Sequence, residues 1–137
     1  MATNADGSFT VAWAAVDASG VGNVYARAFA ANGTPKSPEI LVNTSTTGVF
    51  YWLAPSIAAD ASGNFVVAWT NGGINTYSAA YAHRFSAAGA SLGDDFRIDN
   101  DAEYLAVNQQ ENYSGASIAM DDAGDFVATW PASFSST

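Results

Sequence analysis

The sequence predicts an all-β chain built from a repeated unit of four short antiparallel strands, on two observations. The first is a thirteen-residue segment, Ile57 to Trp69 (IAADASGNFVVAW), that occurs three times in 137 residues. Met1 to Trp13 (MATNADGSFTVAW) and Ile118 to Trp130 (IAMDDAGDFVATW) each match it at seven of thirteen positions, the Gly, Phe and Trp among them. A fixed internal period is the mark of a repeat architecture. The second is that apolar residues alternate within each copy, the period that sends a strand's side chains to opposite faces.

The elements follow in order. Met1 to Trp13 reads as a short apolar segment, a polar turn with a Gly and an alternating strand. Tyr25-Ala26-Arg27-Ala28-Phe29, the turn Ala31-Asn32-Gly33 and Ile40-Leu41-Val42-Asn43 come next. The same order returns 56 residues later: Ser56 to Asp60, the turn Ala61 to Asn64, Phe65 to Thr70, Tyr81-Ala82-His83-Arg84-Phe85, Ala87-Ala88-Gly89 and Phe96-Arg97-Ile98-Asp99. Phe65, Val67 and Trp69 point one way and Val66 and Ala68 the other, so this strand is expected to be covered on both faces. Gly63 is expected at positive φ in its turn. The third copy starts at Ile118, 61 residues after Ile57, with five extra residues in the connection Asn100 to Ser117. The expectation is one repeat domain, 1–137, with units 1–54, 55–115 and a partial 116–137: about two and a half repeats and ten strands. Four-stranded units of roughly 40 to 50 residues are the mark of propeller-type blades, with surplus length carried in loops.

Composition narrows the function classes. Charged residues make up 12% of the chain, against roughly 25% in an ordinary soluble domain; an all-β secreted module fits this better than a helical enzyme. A net charge of −9 repels phosphate backbones and argues against nucleic acid as a partner. The absence of cysteine excludes disulfides, thiolate zinc sites and cysteine nucleophiles, and one histidine, His83, leaves no imidazole pair. No apolar run is long enough for a membrane helix, so no membrane partner is expected. The N-terminal MATNADGSFTVAW lacks the basic-then-apolar pattern of a signal peptide. It begins inside a repeat copy, as expected of a piece of a longer array or of a short gene derived from one.

The pattern P-x-[IV]-A-x-D-x-x-G-x-F-V-V-x-W, then Y-A-x-R-F-x-x-x-G, then a segment ending near V-N-T resembles a repeat of large bacterial surface and secreted proteins. It covers Pro55 to Trp69, Tyr81 to Gly89 and Leu41 to Thr44, and departs at Ala28 (where the second unit has Arg84) and at Ala116 (for Pro55). The resemblance implies propeller-like blades, an adhesin-type setting and an extracellular or cell-surface location in a bacterium. It carries no catalytic residues.

A ring of blades closes only on a whole number, and an unclosed one leaves faces and edges bare. Self-association is therefore expected, a homo-oligomer with a dimer favoured; truncation of a longer array is the alternative.

Candidate site residues are few. Trp13, Trp69 and Trp130 recur at one position and, with Phe9, Phe65 and Phe126, read as core between blades, sugar stacking being the other use of an indole. Phe50-Tyr51-Trp52 interrupts a polar connection, and the matching connection carries Tyr104, Asn108, Gln109, Gln110, Asn112 and Tyr113. Aromatic rings with amides suit a glycan, so Tyr51, Trp52, Tyr104, Asn108, Gln109 and Tyr113 are the candidate ligand contacts; an oligomer contact uses the same residue types. Asp99, Asp101 and Glu103 place oxygens at alternate positions, as calcium loops do, without the Gly and distal Glu of a twelve-residue loop. Calcium is the one ion considered, and no other cofactor is expected. Asp60 and Asp121, with Asn4 in the first copy, read as side chains bonded to turn amides. The resulting expectation is a non-enzymatic binding or adhesion module, with a carbohydrate-binding lectin as the alternative and a glycosidase behind both.

Overall fold

The computed structural model describes residues 1–44, 54–71, 79–99, 110–113 and 115–135. Among these residues there is no helix, and twelve strands form antiparallel sheets. The first sheet runs β1 (Ala2–Thr3), β2 (Phe9–Val16), β3 (Gly22–Phe29) and β4 (Ile40–Leu41); the second runs β5 (Ser56–Ala59), β6 (Phe65–Asn71), β7 (Ala79–Phe85) and β8 (Phe96–Arg97). Each is a simple meander with neighbours in chain order. Strands β10 (Ser117–Met120) and β11 (Phe126–Thr129) form a third, two-stranded sheet.

The sequence period is also a period of register. Trp13 faces Tyr25 and Trp69 faces Tyr81; Phe9 faces Phe29 and Phe65 faces Phe85; Tyr25 faces Leu41 and Tyr81 faces Arg97. The third copy continues it, since Ile57 faces Val67 and Ile118 faces Ala128.

One turn design sets this register. At the β5–β6 turn the Gly63 N–H donates to the Asp60 carbonyl at 3.0 Å and the Asp60 N–H to the Asn64 carbonyl at 2.9 Å, with Gly63 at φ 84°. This is a type I turn closed by a left-handed residue, a G1 bulge whose twist matches the flanking strands. Asp60 Oδ1 accepts from the Ser62 and Asn64 amides at 2.8 and 2.9 Å, and Asp121 Oδ1 accepts from Ala123 and Asp125 at 2.9 and 3.0 Å. Asn4 departs from its expected role. Its amide donates to Ser8 Oγ, and Asp6 takes over the turn, accepting from the Ser8 N–H at 2.9 Å.

The sheets stack face to face. Val24, Ala26 and Val42 of the first sheet's small-residue face pack on Ile57, Phe65, Val67, Trp69 and Phe85 of the second. Val66, Ala68 and Ala82, on the opposite face of the second sheet, pack on Ile118, Met120 and Phe126 of the third. Strand β6 is thus covered on both faces, and all of Phe65 to Thr70 is buried. Each such large apolar side chain contributes roughly 1.5–3 kcal/mol on burial.

Two expectations need correction. The chain has twelve described strands, not ten, because β9 (Gln110–Tyr113) pairs with β12 (Ala132–Ser135). Tyr113, expected in a loop, therefore lies on a strand. Its neighbours Gln110, Glu111 and Asn112 are polar and show no alternation, so only the pairing reveals the element. The register steps by one residue between the Ser117–Thr129 and Tyr113–Ala132 pairs. Pro131, which has no N–H to give a ladder, sits at that step. No barrel or ring closes among the described residues.

Candidate functional site: an uncovered aromatic face

The alternation that builds β3 divides its residues cleanly. Val24, Ala26 and Ala28 are buried toward the second sheet, whereas Tyr25, Arg27 and Phe29 are half-buried on the other face. Strand β2 adds Phe9, Val11 and Trp13 to that outer face, also half-buried. Cross-strand pairing stacks these rings: Phe9 on Phe29 with centroids 5.2 Å apart, and Trp13 on Tyr25 at 5.9 Å. The second sheet builds the same pairs from Phe65 with Phe85 at 5.1 Å and Trp69 with Tyr81 at 6.0 Å. The geometry is shared, but there Phe65, Val67, Trp69 and Phe85 are buried beneath the first sheet.

Position 27 marks the chemical difference between the two faces. Arg27 lies on the outer face, its guanidinium 5.8 Å from the Phe29 ring centroid and its Nε donating to the Ser37 carbonyl at 3.1 Å. This cation over a ring leaves the charge accessible to solvent. His83, at the matching position of β7, is buried between the sheets. Its Nδ1 lies 2.8 Å from the Val42 carbonyl and its Nε2 2.7 Å from Ser91 Oγ. A carbonyl can only accept, so Nδ1 carries the proton. A Ser oxygen at this distance from an imidazole has the spacing of a nucleophile and its base. With Nδ1 protonated, Nε2 can only accept, and the Gly93 carbonyl competes for the single Ser91 hydroxyl proton; the imidazole is enclosed and stacked on Phe85 at 4.3 Å. His83 ties the first sheet to the second.

A cleft of about 290 Å³ opens where the β1–β2 and β5–β6 turns meet, lined by Asn4, Asp6, Ser8, Lys36, Ser62 and Ala87 among others. Asn4 Oδ1 is buried there and finds no hydrogen-bond partner among the described residues. The Asp6 carboxyl is held below its ordinary value by hydrogen bonds from the Ser8 hydroxyl and backbone N–H, with Lys36 adding a smaller attraction.

Of the candidate metal ligands, Asp99 is among the described residues and joins no group of three His, Asp or Glu there. Its carboxylate is bound by Arg97 in a two-point pair, at 2.6 Å to Nε and 2.8 Å to Nη2, and its side chain is 2% exposed. Arg97 thus contacts both carboxylate oxygens of Asp99. Asp101 and Glu103 lie outside the described residues, as do Tyr51, Trp52, Tyr104, Asn108 and Gln109. Among the described residues no three His, Asp or Glu side chains gather as a metal site, and no helix is long and apolar enough to cross a membrane.

Sequence reasoning placed Phe9 and Trp13 in the core with their counterparts, and the structure leaves them half-buried. The missing signal was positional: among the described residues, a copy's aromatic face is covered by the copy before it. Compared with family models, curated proteins and solved structures, the chain matches none.

Proposed function

We propose that this chain is a non-enzymatic extracellular binding or adhesion module whose stacked sheets are propeller-type blades completed by self-association. The observation that carries this reading is the contrast between two equivalent faces. The aromatic face is buried in the second sheet, whereas in the first it is half-buried and no described sheet lies on it, although the stacked ring pairs are the same. A face built for contact and left open is a binding surface. The low charge content and the resemblance to bacterial surface repeats support an extracellular setting. Light scattering across a concentration series tests the proposal: it predicts a defined oligomer, and a stable, non-aggregating monomer at every concentration overturns it.

A carbohydrate-binding module is the second reading. One observation favours it: Trp13 stacked on Tyr25 presents a flat aromatic surface on that uncovered face. Rings of this kind stack on sugar faces. A glycan array separates the two readings, because Trp13→Ala abolishes signal from a lectin, and an array silent for the wild type rejects the glycan.

A further inference from the structure

The two most exposed large apolar side chains among the described residues are Met1, 73% exposed, and Val127, 63% exposed. Their places in the repeat are not arbitrary. Met1 stands where the middle copy has Ile57 and Val127 where it has Val66, and those residues are 7% and 0% exposed. Ile57 belongs to the aromatic face that the first sheet covers; Val66 belongs to the small-residue face that covers the third sheet. Among the described residues, the first and third sheets therefore each present one half of the sheet-to-sheet contact with no sheet upon it.

We infer that the uncovered aromatic face of the first sheet is a docking site for a second copy of this chain, which seats the free face of its β10–β11 hairpin there, head to tail. This deepens the self-association reading and rests on it. The occupant is named by the chain's own two contacts. In both, an Ala/Val face lies on the next copy's aromatic face, and the first strand of the following sheet meets the first two strands of the preceding one. The third sheet has such a face to offer. Ser117, Ala119, Val127 and Thr129 are all exposed and stand where the second sheet has Ser56, Ala58, Val66 and Ala68. By the same correspondence, the groups they meet are Met1 and Phe9, in the places of Ile118 and Phe126. Bonds found across the second and third sheets set the docking geometry: the Ile118 N–H donates to Ser56 Oγ at 3.2 Å, and Arg84 Nη2 donates to the Gly124 carbonyl at 3.3 Å. Ser117 in one copy repeats Ser56. Two different surfaces meet in this contact, so it is heterologous; it propagates until a ring closes or a filament grows.

A mixing experiment tests it by sedimentation velocity. Val127→Glu spoils only the donor face and Val11→Glu only the acceptor face; Met1→Glu replaces the latter if Val11→Glu loses its β-sheet circular dichroism. The expected result is that wild type associates, each variant alone associates at least tenfold more weakly, and an equimolar mixture forms a two-chain species and stops there. Each mixed pair retains one intact contact, which a self-complementary interface would not provide. Val127→Glu associating as wild type does, or a mixture no larger than its components, overturns the head-to-tail contact while leaving self-association standing. A monomeric wild type overturns both.

Discussion

Two faces of this molecule have nearly the same sequence and opposite fates. Phe9, Val11, Trp13, Tyr25 and Phe29 on the first sheet match Phe65, Val67, Trp69, Tyr81 and Phe85 on the second, paired in the same register and stacked at the same spacing. Trp69 is 3% exposed and Trp13 is half-buried. For these five pairs the residues are the same, and what differs is whether a small-residue face lies on them. Burial in a stacked repeat is a property of the neighbour, which is why stability in such proteins divides into terms within units and terms between them.

This contrast can be broken by truncation. Phe65→Ala leaves a cavity between two sheets and is expected to cost about 3–5 kcal/mol, whereas Phe9→Ala, half in solvent, costs less than half of that in dilute protein. Urea unfolding of both variants checks the difference; equal losses would mean that the two faces are equally covered. Turns give a smaller and sharper version. Gly20 and Gly89 have φ of 82° and 81°, so alanine is strained at both by about 1–2 kcal/mol. A Cβ on Gly20 meets nothing, while one on Gly89 falls 2.5 Å from Ile40 Cδ1 on the first sheet. Gly89→Ala is therefore expected to lower the melting temperature further than Gly20→Ala, and equal shifts would place the β7–β8 turn away from the sheet contact.

Ionic strength acts more gently. Copies carrying −9 each repel one another, and salt screens that repulsion over about 8–10 Å. Association is expected to strengthen several-fold from low to physiological salt, read by light scattering. The smallest effect concerns Asp6. Its folded pKa lies below the ordinary 3.8 of an aspartate. Its contribution to stability is complete above that unfolded value and disappears as pH falls through the lower folded one. Asp6→Asn should therefore flatten the acid limb of the stability curve below about pH 4 and leave neutral pH little changed. An unchanged acid limb would detach Asp6 from the turn.

Much of the architecture was legible because it is local and repeated. Gly63, between Asp60 and Phe65, announces its turn, and a 56-residue offset that holds for Phe, Trp and Tyr alike announces the strand pairing. The rest depends on partners distant in sequence. Gln110 to Tyr113 has no strand pattern and becomes one by pairing with Ala132 to Ser135. The bond from Arg97 to both oxygens of Asp99 is likewise not legible in the acidic pattern of 99 to 103. Asn4 sits in the place of an Asp, but an amide that donates to Ser8 leaves the capping to Asp6. The open face was least legible, since Phe9 and Phe65 differ only in what lies across from them.

Hydroxyl-radical footprinting of the wild-type chain over a range of concentrations tests the central contrast most directly, read by mass spectrometry at Trp13 and Trp69. The account predicts that Trp69 is protected throughout, and that Trp13 and Met1 oxidise readily in dilute solution and become protected as concentration rises. A Trp13 as protected as Trp69 in the dilute chain, or one whose oxidation does not change with concentration, would contradict it.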